Sequence, residues 1–380
     1  MHRTDHLLPG QSLGHHTTVS SFLFGAAGSS PKAYIQASLH AEEIPAMLTA
    51  HHLRGQLEQA ELQGRLRGQV VLVPVANPIG LAQRVDHKAM GRFDLDSSEN
   101  FNRHYPNLAD AVFAEVQGAL GADPEANVAA VRAAVARHLQ RWQAANPLQG
   151  LRKTLLGLAF DADLVLDLHC DCEAALHLYS EDACWPRIEP LARLLQARAA
   201  LLASHTGASS FDECLSGLWW QLSARLAAAA APGSSACPLP QACASTTVEL
   251  RGEADVTHAL AAQDAQAIMA FLQHAGILVG DAPVVLPPPA CAATPLAGSQ
   301  TVKAPVAGVV VFHAEVGDVL AVGDPVAELV DPLADTVTTV RAEVAGVMYA
   351  RTYDRYVLPH DDLANIAGSV AFRTGNLLGA

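Results

Sequence analysis

Aromatic residues are scarce in this chain, 5% of 380 residues, so any core must be built mainly from Ala, Leu and Val. Charged residues are also few, at 16%, while half the chain is hydrophobic, which excludes a mostly disordered protein. No window reaches the roughly 18 consecutive apolar residues of a membrane helix, so no membrane partner is expected. The opening MHRTDHLLPGQSLGHHTT lacks the charged-then-apolar order of a secretory signal. Its histidines, His2, His6, His15 and His16, read as a surface segment. Basic residues are in short supply: 24 against 38 acids leave a net charge of −14. A surface of that sign repels phosphate backbones and excludes nucleic acid as the expected partner. It does not exclude an anionic substrate, because a metal or a few arginines can dominate one pocket. The seven cysteines are odd in number and irregularly spaced, and they read as reduced thiols in a cytoplasmic protein.

What is present is an alternation of apolar runs and helical patterns. Residues 70–75 form a continuous apolar run, and 33–39 and 163–168 are largely apolar, the mark of strands buried on both faces. Helical patterns follow from about Glu43 to Glu61, through 108–160, and around 190–202, 217–231 and 254–275. A further strand is expected at Thr246–Leu250. Strands alternating with helices imply an α/β domain over residues 1–282, with a largely parallel sheet covered on both faces. Residues 283–300 (PVVLPPPACAATPLAGSQ) carry proline and small residues without period and read as a linker.

Beyond the linker, residues 301–380 repeat internally. Val302 to Val310 aligns with Val340 to Met348 at an offset of 38, and the same offset pairs Gly308 with Gly346 and Asp324 with Asp362. Two such halves predict a small pseudo-symmetric all-β barrel-sandwich. The pattern APVAGVVVFHAEVGDVLAVGDPVAELVDP resembles lipoyl and biotinyl carrier domains, which present a modifiable lysine on the hairpin joining the halves. Here that hairpin, Val330 to Val337, has no lysine, so a carrier role is not expected.

Four segments carry chemistry. His40-x-x-Glu43 follows the first buried strand, and ligands in α/β sheets collect at such strand ends. On a first helical turn, residues three apart share a face and can converge on one ion. His169, directly after the run DLVLDL, would complete a three-ligand zinc site with an open position. Asn102-Arg103 follows a Gly/Asp/Ser-rich loop, and arginine offers two-pronged recognition of a carboxylate. Glu249, in Thr-Thr-Val-Glu, is a carboxylate able to take a proton from a zinc-activated water and return it to a leaving amine. Blander pairings stand beside these: Arg103 with Asp110, Glu249 with Arg251, and Asp167 as a strand-end acid rather than a partner of His169. His177, on an apolar run, reads as a packed core histidine.

In order and setting, His40-x-x-Glu43, Asn102-Arg103, Asp167-Leu-His169 and Thr247-Val-Glu249 resemble the succinylglutamate desuccinylase/aspartoacylase family, a branch of the zinc carboxypeptidase-like hydrolases. The resemblance implies a mixed sheet flanked by helices, one Zn2+ on His40, Glu43 and His169, and Glu249 as general acid/base. It also implies Asn102 and Arg103 holding a substrate carboxylate, and an upstream arginine, Arg92 or else Arg84, polarising the scissile carbonyl. Departures are Ala41 in place of glycine and Asn-Phe-Asn-Arg in place of Asp-Leu-Asn-Arg. The expected activity is hydrolysis of a small carboxylate-bearing N-acyl amino acid or related amide by a homo-oligomeric enzyme. A carboxypeptidase acting on short peptides, and a non-catalytic binding protein retaining the fold, are the alternatives.

Overall fold

The continuous apolar runs become strands buried along nearly their whole length, including Lys32–Ala37, Gln69–Val73 and Leu164–Asp171. The computed structural model of the chain describes residues 1–10, 12–230 and 237–378. Nine strands form one mixed sheet: β1 (His2–Leu7), β2 (Thr18–Phe24), β3 (Lys32–Ala37), β4 (Gln69–Val73), β5 (Leu164–Asp171), β6 (His177–Ser180), β7 (Ala199–Leu202), β8 (Ala244–Gly252) and β9 (Ala293–Pro295). Their spatial order is β1-β2-β4-β3-β5-β8-β6-β7-β9. The central pairs β4-β3, β3-β5 and β5-β8 are parallel, while β8-β6 is antiparallel.

Among the described residues eight helices accompany the sheet: α1 (Pro45–Leu62), α2 (Pro78–Ala82), α3 (Ala109–Val116), α4 (Pro124–Arg141), α5 (Pro147–Ala159), α6 (Trp185–Leu195), α7 (Phe211–Ala229) and α8 (His258–His274). Several start where the sequence supplies a cap followed by proline. Asp123 accepts from the Glu125 and Ala126 amides ahead of Pro124, and Asn146 accepts from the Gln149 amide ahead of Pro147. Leucines and alanines of α1, α6 and α8 pack on one sheet face, burying Ile35, Leu166, Leu168 and Val248. On the other face α3, α4, α5 and α7 bury Tyr34, Val71 and Val165.

Among the described residues no helix covers that second face at its β6-β7-β9 end. The C-terminal β domain packs there, through Tyr349, Ala350 and Ala367 against Ala199, Leu201 and Leu296. His177 is buried at this junction, 4.8 Å from the Tyr349 ring, as a packed histidine should be. The junction is further joined by a two-residue strand, Glu173–Ala174, paired with Gly346–Arg351, and by Arg351 and Arg355 on Glu173. The β domain itself consists of two antiparallel sheets. The 38-residue repeat places Gly308–Phe312 in one and Gly346–Arg351 in the other, as a pseudo-symmetric sandwich requires.

The N-terminal histidines lie at the surface as read: His2–Leu7 is an exposed edge strand, and His6 lies 2.8 Å from Ser21 Oγ. Two expectations change. The expected linker is only partly a linker, because Ala293–Pro295 forms β9 and Ser299–Lys303 opens the β domain. A three-residue edge strand needs no hydrophobic period, and proline is tolerated where the outer side goes unpaired. Finally, the His40-x-x-Glu43 segment precedes the helix rather than lying on it.

Candidate metal centre and catalytic cavity

β3 ends at Ala37, and α1 begins only at Pro45. His40 to Glu43 therefore forms a turn, closed by the Glu43 amide on the His40 carbonyl at 3.1 Å. The turn brings the imidazole and the carboxylate together as a helical turn would, by a different backbone. Ser38, at φ +57°, bends the chain out of the sheet, and its hydroxyl donates to the Glu43 carbonyl at 2.6 Å. Gly91 packs against the same turn, with its carbonyl on the Ala41 amide and its own amide on Glu42 Oε2. A Cβ at residue 91 would lie 2.3 Å from the Glu42 nitrogen, so only glycine permits this approach.

His40, Glu43 and His169 converge, each buried, with one potential ligand atom apiece within 4.8 Å of the others. His40 Nδ1 is 2.9 Å from Glu43 Oε1, and His169 Nδ1 is 2.7 Å from Glu43 Oε2. The two rings stand edge to face, 5.1 Å apart. Each second nitrogen faces an oxygen of its own. His40 Nε2 lies 2.9 Å from Asn100 Oδ1. His169 Nε2 lies 3.1 Å from Asp167 Oδ2, close enough for an ion pair though off the hydrogen-bonding line. Asp167 in turn accepts from Gln36 Nε2, and Gln36 from the Tyr34 hydroxyl, at 2.9 and 2.8 Å. With an oxygen facing each Nε2, both Nδ1 atoms turn inward to the Glu43 carboxylate, where a metal would take them as ligands. Two imidazoles and a carboxylate are also the donor set of catalytic zinc, so the residues fit the ion.

Electrostatics bind the cluster together. Burial pushes His40 down to about 4, with Arg92 adding to the effect. Burial would lower His169 too, but Asp167 and Glu43 outweigh it and raise it well above the usual range. Burial would raise Glu43, yet the two histidines hold it below the ordinary carboxylate range. Arg92 Nη2 meets Glu43 Oε1 at 3.0 Å, and Nε faces Glu42 at 3.5 Å.

These groups line one cavity of about 280 Å³. Glu249 enters it from β8, in register with His169 on the neighbouring parallel strand. Its Oε2 is buried without a hydrogen-bond partner among the described residues, and burial next to Glu43 raises its pKa well above the usual value. Asn102 and Arg103 line the same cavity from the loop that Arg152 anchors through Glu99 and the Asn100 carbonyl. Asn102 Oδ1 accepts from the Phe211 amide, which ties that loop to the start of α7.

Residues 29–275 match the succinylglutamate desuccinylase/aspartoacylase catalytic domain. The chain belongs to that family. A family protein of Shewanella amazonensis is 25% identical, with 97% of this chain and 98% of that one covered at a TM-score of 0.82. A second, from Shewanella frigidimarina, is 24% identical over 96% of both chains, with a TM-score of 0.81. The ectoine utilization protein EutE (DoeB) of Ruegeria pomeroyi shares the fold at 15% identity and a TM-score of 0.64, covering 96% of this chain and 93% of that one. None of the curated proteins matches the chain.

Within this desuccinylase/aspartoacylase fold, all seven singled-out residues reach the cavity: His40, Glu43, Arg92, Asn102, Arg103, His169 and Glu249. Arg84 does not line it; its guanidinium is exposed and donates to the Leu81 and Gln83 carbonyls. The rival pairings dissolve as well. Arg251 makes a two-pronged bond to Asp264, and Asp110 pairs with Arg225. Two contributors went unread in the sequence. Asn100 was visible only as a neighbour of Asn102, and nothing local points it at His40. Glu181, Asp212 and Glu213 form an acidic wall: Glu181 accepts from Ser216 and Trp220, and Thr247 donates to Asp212.

Proposed function

We propose that this protein is a zinc-dependent amidohydrolase that removes an acyl group from a small carboxylate-bearing N-acyl amine. The observation that carries the reading is the meeting, in one cavity, of three buried metal-type donors with an unpaired carboxyl and two guanidinium groups. His40, Glu43 and His169 would hold the ion through the two Nδ1 atoms and the Glu43 carboxylate. Bound zinc supplies a Lewis acid and acidifies water from a pKa of about 16 toward about 7.

The remaining chemistry belongs to the chain's own side chains. Glu249 accepts the proton of the attacking water on Oε2 and passes it to the departing amine nitrogen. Arg92, anchored on Glu43, directs positive charge at the carbonyl oxygen as negative charge develops there. Arg103, with Asn102 beside it, orients the substrate through its carboxylate. Arg92 and Arg103 are the only Arg or Lys side chains lining the cavity among the described residues. The seven free cysteines are consistent with a reducing, cytoplasmic setting.

The test is metal content together with hydrolysis of a panel of N-acyl amino acids set against dipeptides. We expect about one zinc per chain, loss of hydrolysis on chelation, recovery on adding zinc back, and preference for the N-acyl amino acids. Preference for dipeptides would transfer the site to a carboxypeptidase, and a chain that binds zinc but cleaves neither set would be a binding protein.

A further inference from the structure

The sheet register supplies a ruler for the cavity. Gln36, Asp167, Thr247, Tyr179 and Leu201 are register partners on β3, β5, β8, β6 and β7, and so lie in one row on one sheet face. Thr247, Tyr179 and Leu201 all line the cavity. Strands lie ~4.8 Å apart, so the three steps from β5, which carries His169, to β7 span about 14 Å. The cavity therefore extends sideways from the metal ligands to the opposite end of the row.

That end differs in character from the rest. There Leu201, Ala203, Leu296 and Leu378, brought from three distant stretches of chain, line the cavity, with Asn365 the polar residue that the β domain adds. Leu378 arrives on a fastened segment. The Phe372 and Arg373 amides donate to the Ala297 carbonyl, the Leu377 amide to the Thr206 carbonyl at 2.9 Å, and Arg373 Nη2 to the Leu377 carbonyl at 2.6 Å. Gly207, at φ +80°, lets the segment approach: a Cβ there would lie 2.2 Å from Asn376 Oδ1. Leu201 and Leu296 are almost fully buried in the cluster that also holds Tyr349 and Leu378. Aliphatic walls at the end of an otherwise charged cavity reward a ligand group that is itself apolar.

We propose that this end is an apolar subsite, about 14 Å from the metal-bearing strand, which holds an aliphatic segment of the substrate. The inference rests on the amidohydrolase reading for the position of the scissile amide, but the wall can be probed without turnover. An acetyl group at the metal ligands stops far short of Leu201. The preferred substrate therefore carries a longer chain, on its acyl or on its amine half.

Two substrate series distinguish the halves: N-acylglycines from acetyl to decanoyl, and N-acetyl amino acids with linear side chains lengthening from alanine to 2-aminodecanoate. With the zinc-loaded enzyme, kcat/KM in one series should rise by roughly fourfold per methylene over the lengths that enter the subsite. Calorimetric titration of decanoate against acetate reads the same wall independently of catalysis, and decanoate should bind at least tenfold tighter. Ala203→Trp fills the subsite, and Leu378→Asp places a charge in it. Both should reduce the decanoate-to-acetate ratio and flatten the rising series. Equal affinity for the two anions in the wild type, or a ratio that neither substitution moves, overturns the subsite. Tight decanoate binding without hydrolysis of any amide would support the subsite and overturn the amidohydrolase reading instead.

Discussion

Asp167 and His169, two residues apart on β5, point to the same side of the sheet, and Asp167 Oδ2 lies 3.1 Å from His169 Nε2. Strand alternation alone produces that pairing, because residues i and i+2 share a face. It leaves His169 Nδ1 to Glu43 and to the proposed metal. Asp167→Asn weakens the acceptor behind the ring without changing its shape. We expect zinc affinity to fall by about 10–100-fold, read by chelator competition, with the folded circular dichroism spectrum retained. Unchanged affinity would show that the pair has no part in holding the ring.

Glu249 makes no contribution to the donor set of His40, Glu43 and His169. Glu249→Gln should therefore keep zinc stoichiometry while kcat falls by about 10²–10⁴-fold, the usual range for a positioned acid/base. Metal analysis and steady-state rates on the same preparation check it. Full turnover in this variant would remove Glu249 from the reaction.

Arg103 is assigned to substrate binding, so its loss should appear mainly in KM. Arg103→Ala is expected to raise KM for carboxylate-bearing substrates by about 10–100-fold, the value of a charge-assisted hydrogen-bond pair, with a smaller change in kcat. An amide analogue of the same substrate should lose its disadvantage in the variant. A KM that stays put for both would place the carboxylate elsewhere.

Glu181 offers a pH test away from the metal ligands. Burial pushes its pKa up to about 8; donors from Ser216 and Trp220 act downward, and Asp212 and Glu213 add to the rise. The folded state thus keeps a proton that the unfolded chain releases near its ordinary value of 4.5. Stability from this group is complete below that value and is lost as pH climbs through about 8. Glu181→Gln should flatten that part of the decline, measured as the urea midpoint at pH 5 and pH 8 without substrate. Parallel declines in both proteins would mean that Glu181 ionises normally.

Much of this protein was legible in the order of its residues. The apolar runs that became β3, β4, β5 and β8 are local patterns, as are the 38-residue repeat and the four motifs. Each motif places its side chain at a strand end or in an adjoining loop, where α/β sheets gather chemistry. The backbone of the His40–Glu43 turn was not legible, because a β-turn and a helical turn impose the same three-residue spacing. Nor was Asn100 on His40, or the acidic wall, since these join residues 35 to 60 positions apart whose meeting depends on packing. The same holds for Leu296 and Leu378 at the cavity's end, placed there by the β domain covering the sheet face that the helices leave open. Sequence by itself determined which side chains could bind a cation and near which strand ends they lie; tertiary packing alone decided what stands behind each ligand and what shape of substrate fits. The reason is physical: periodicity and turn chemistry are short-range, whereas register, burial and charge compensation exist only once distant segments touch.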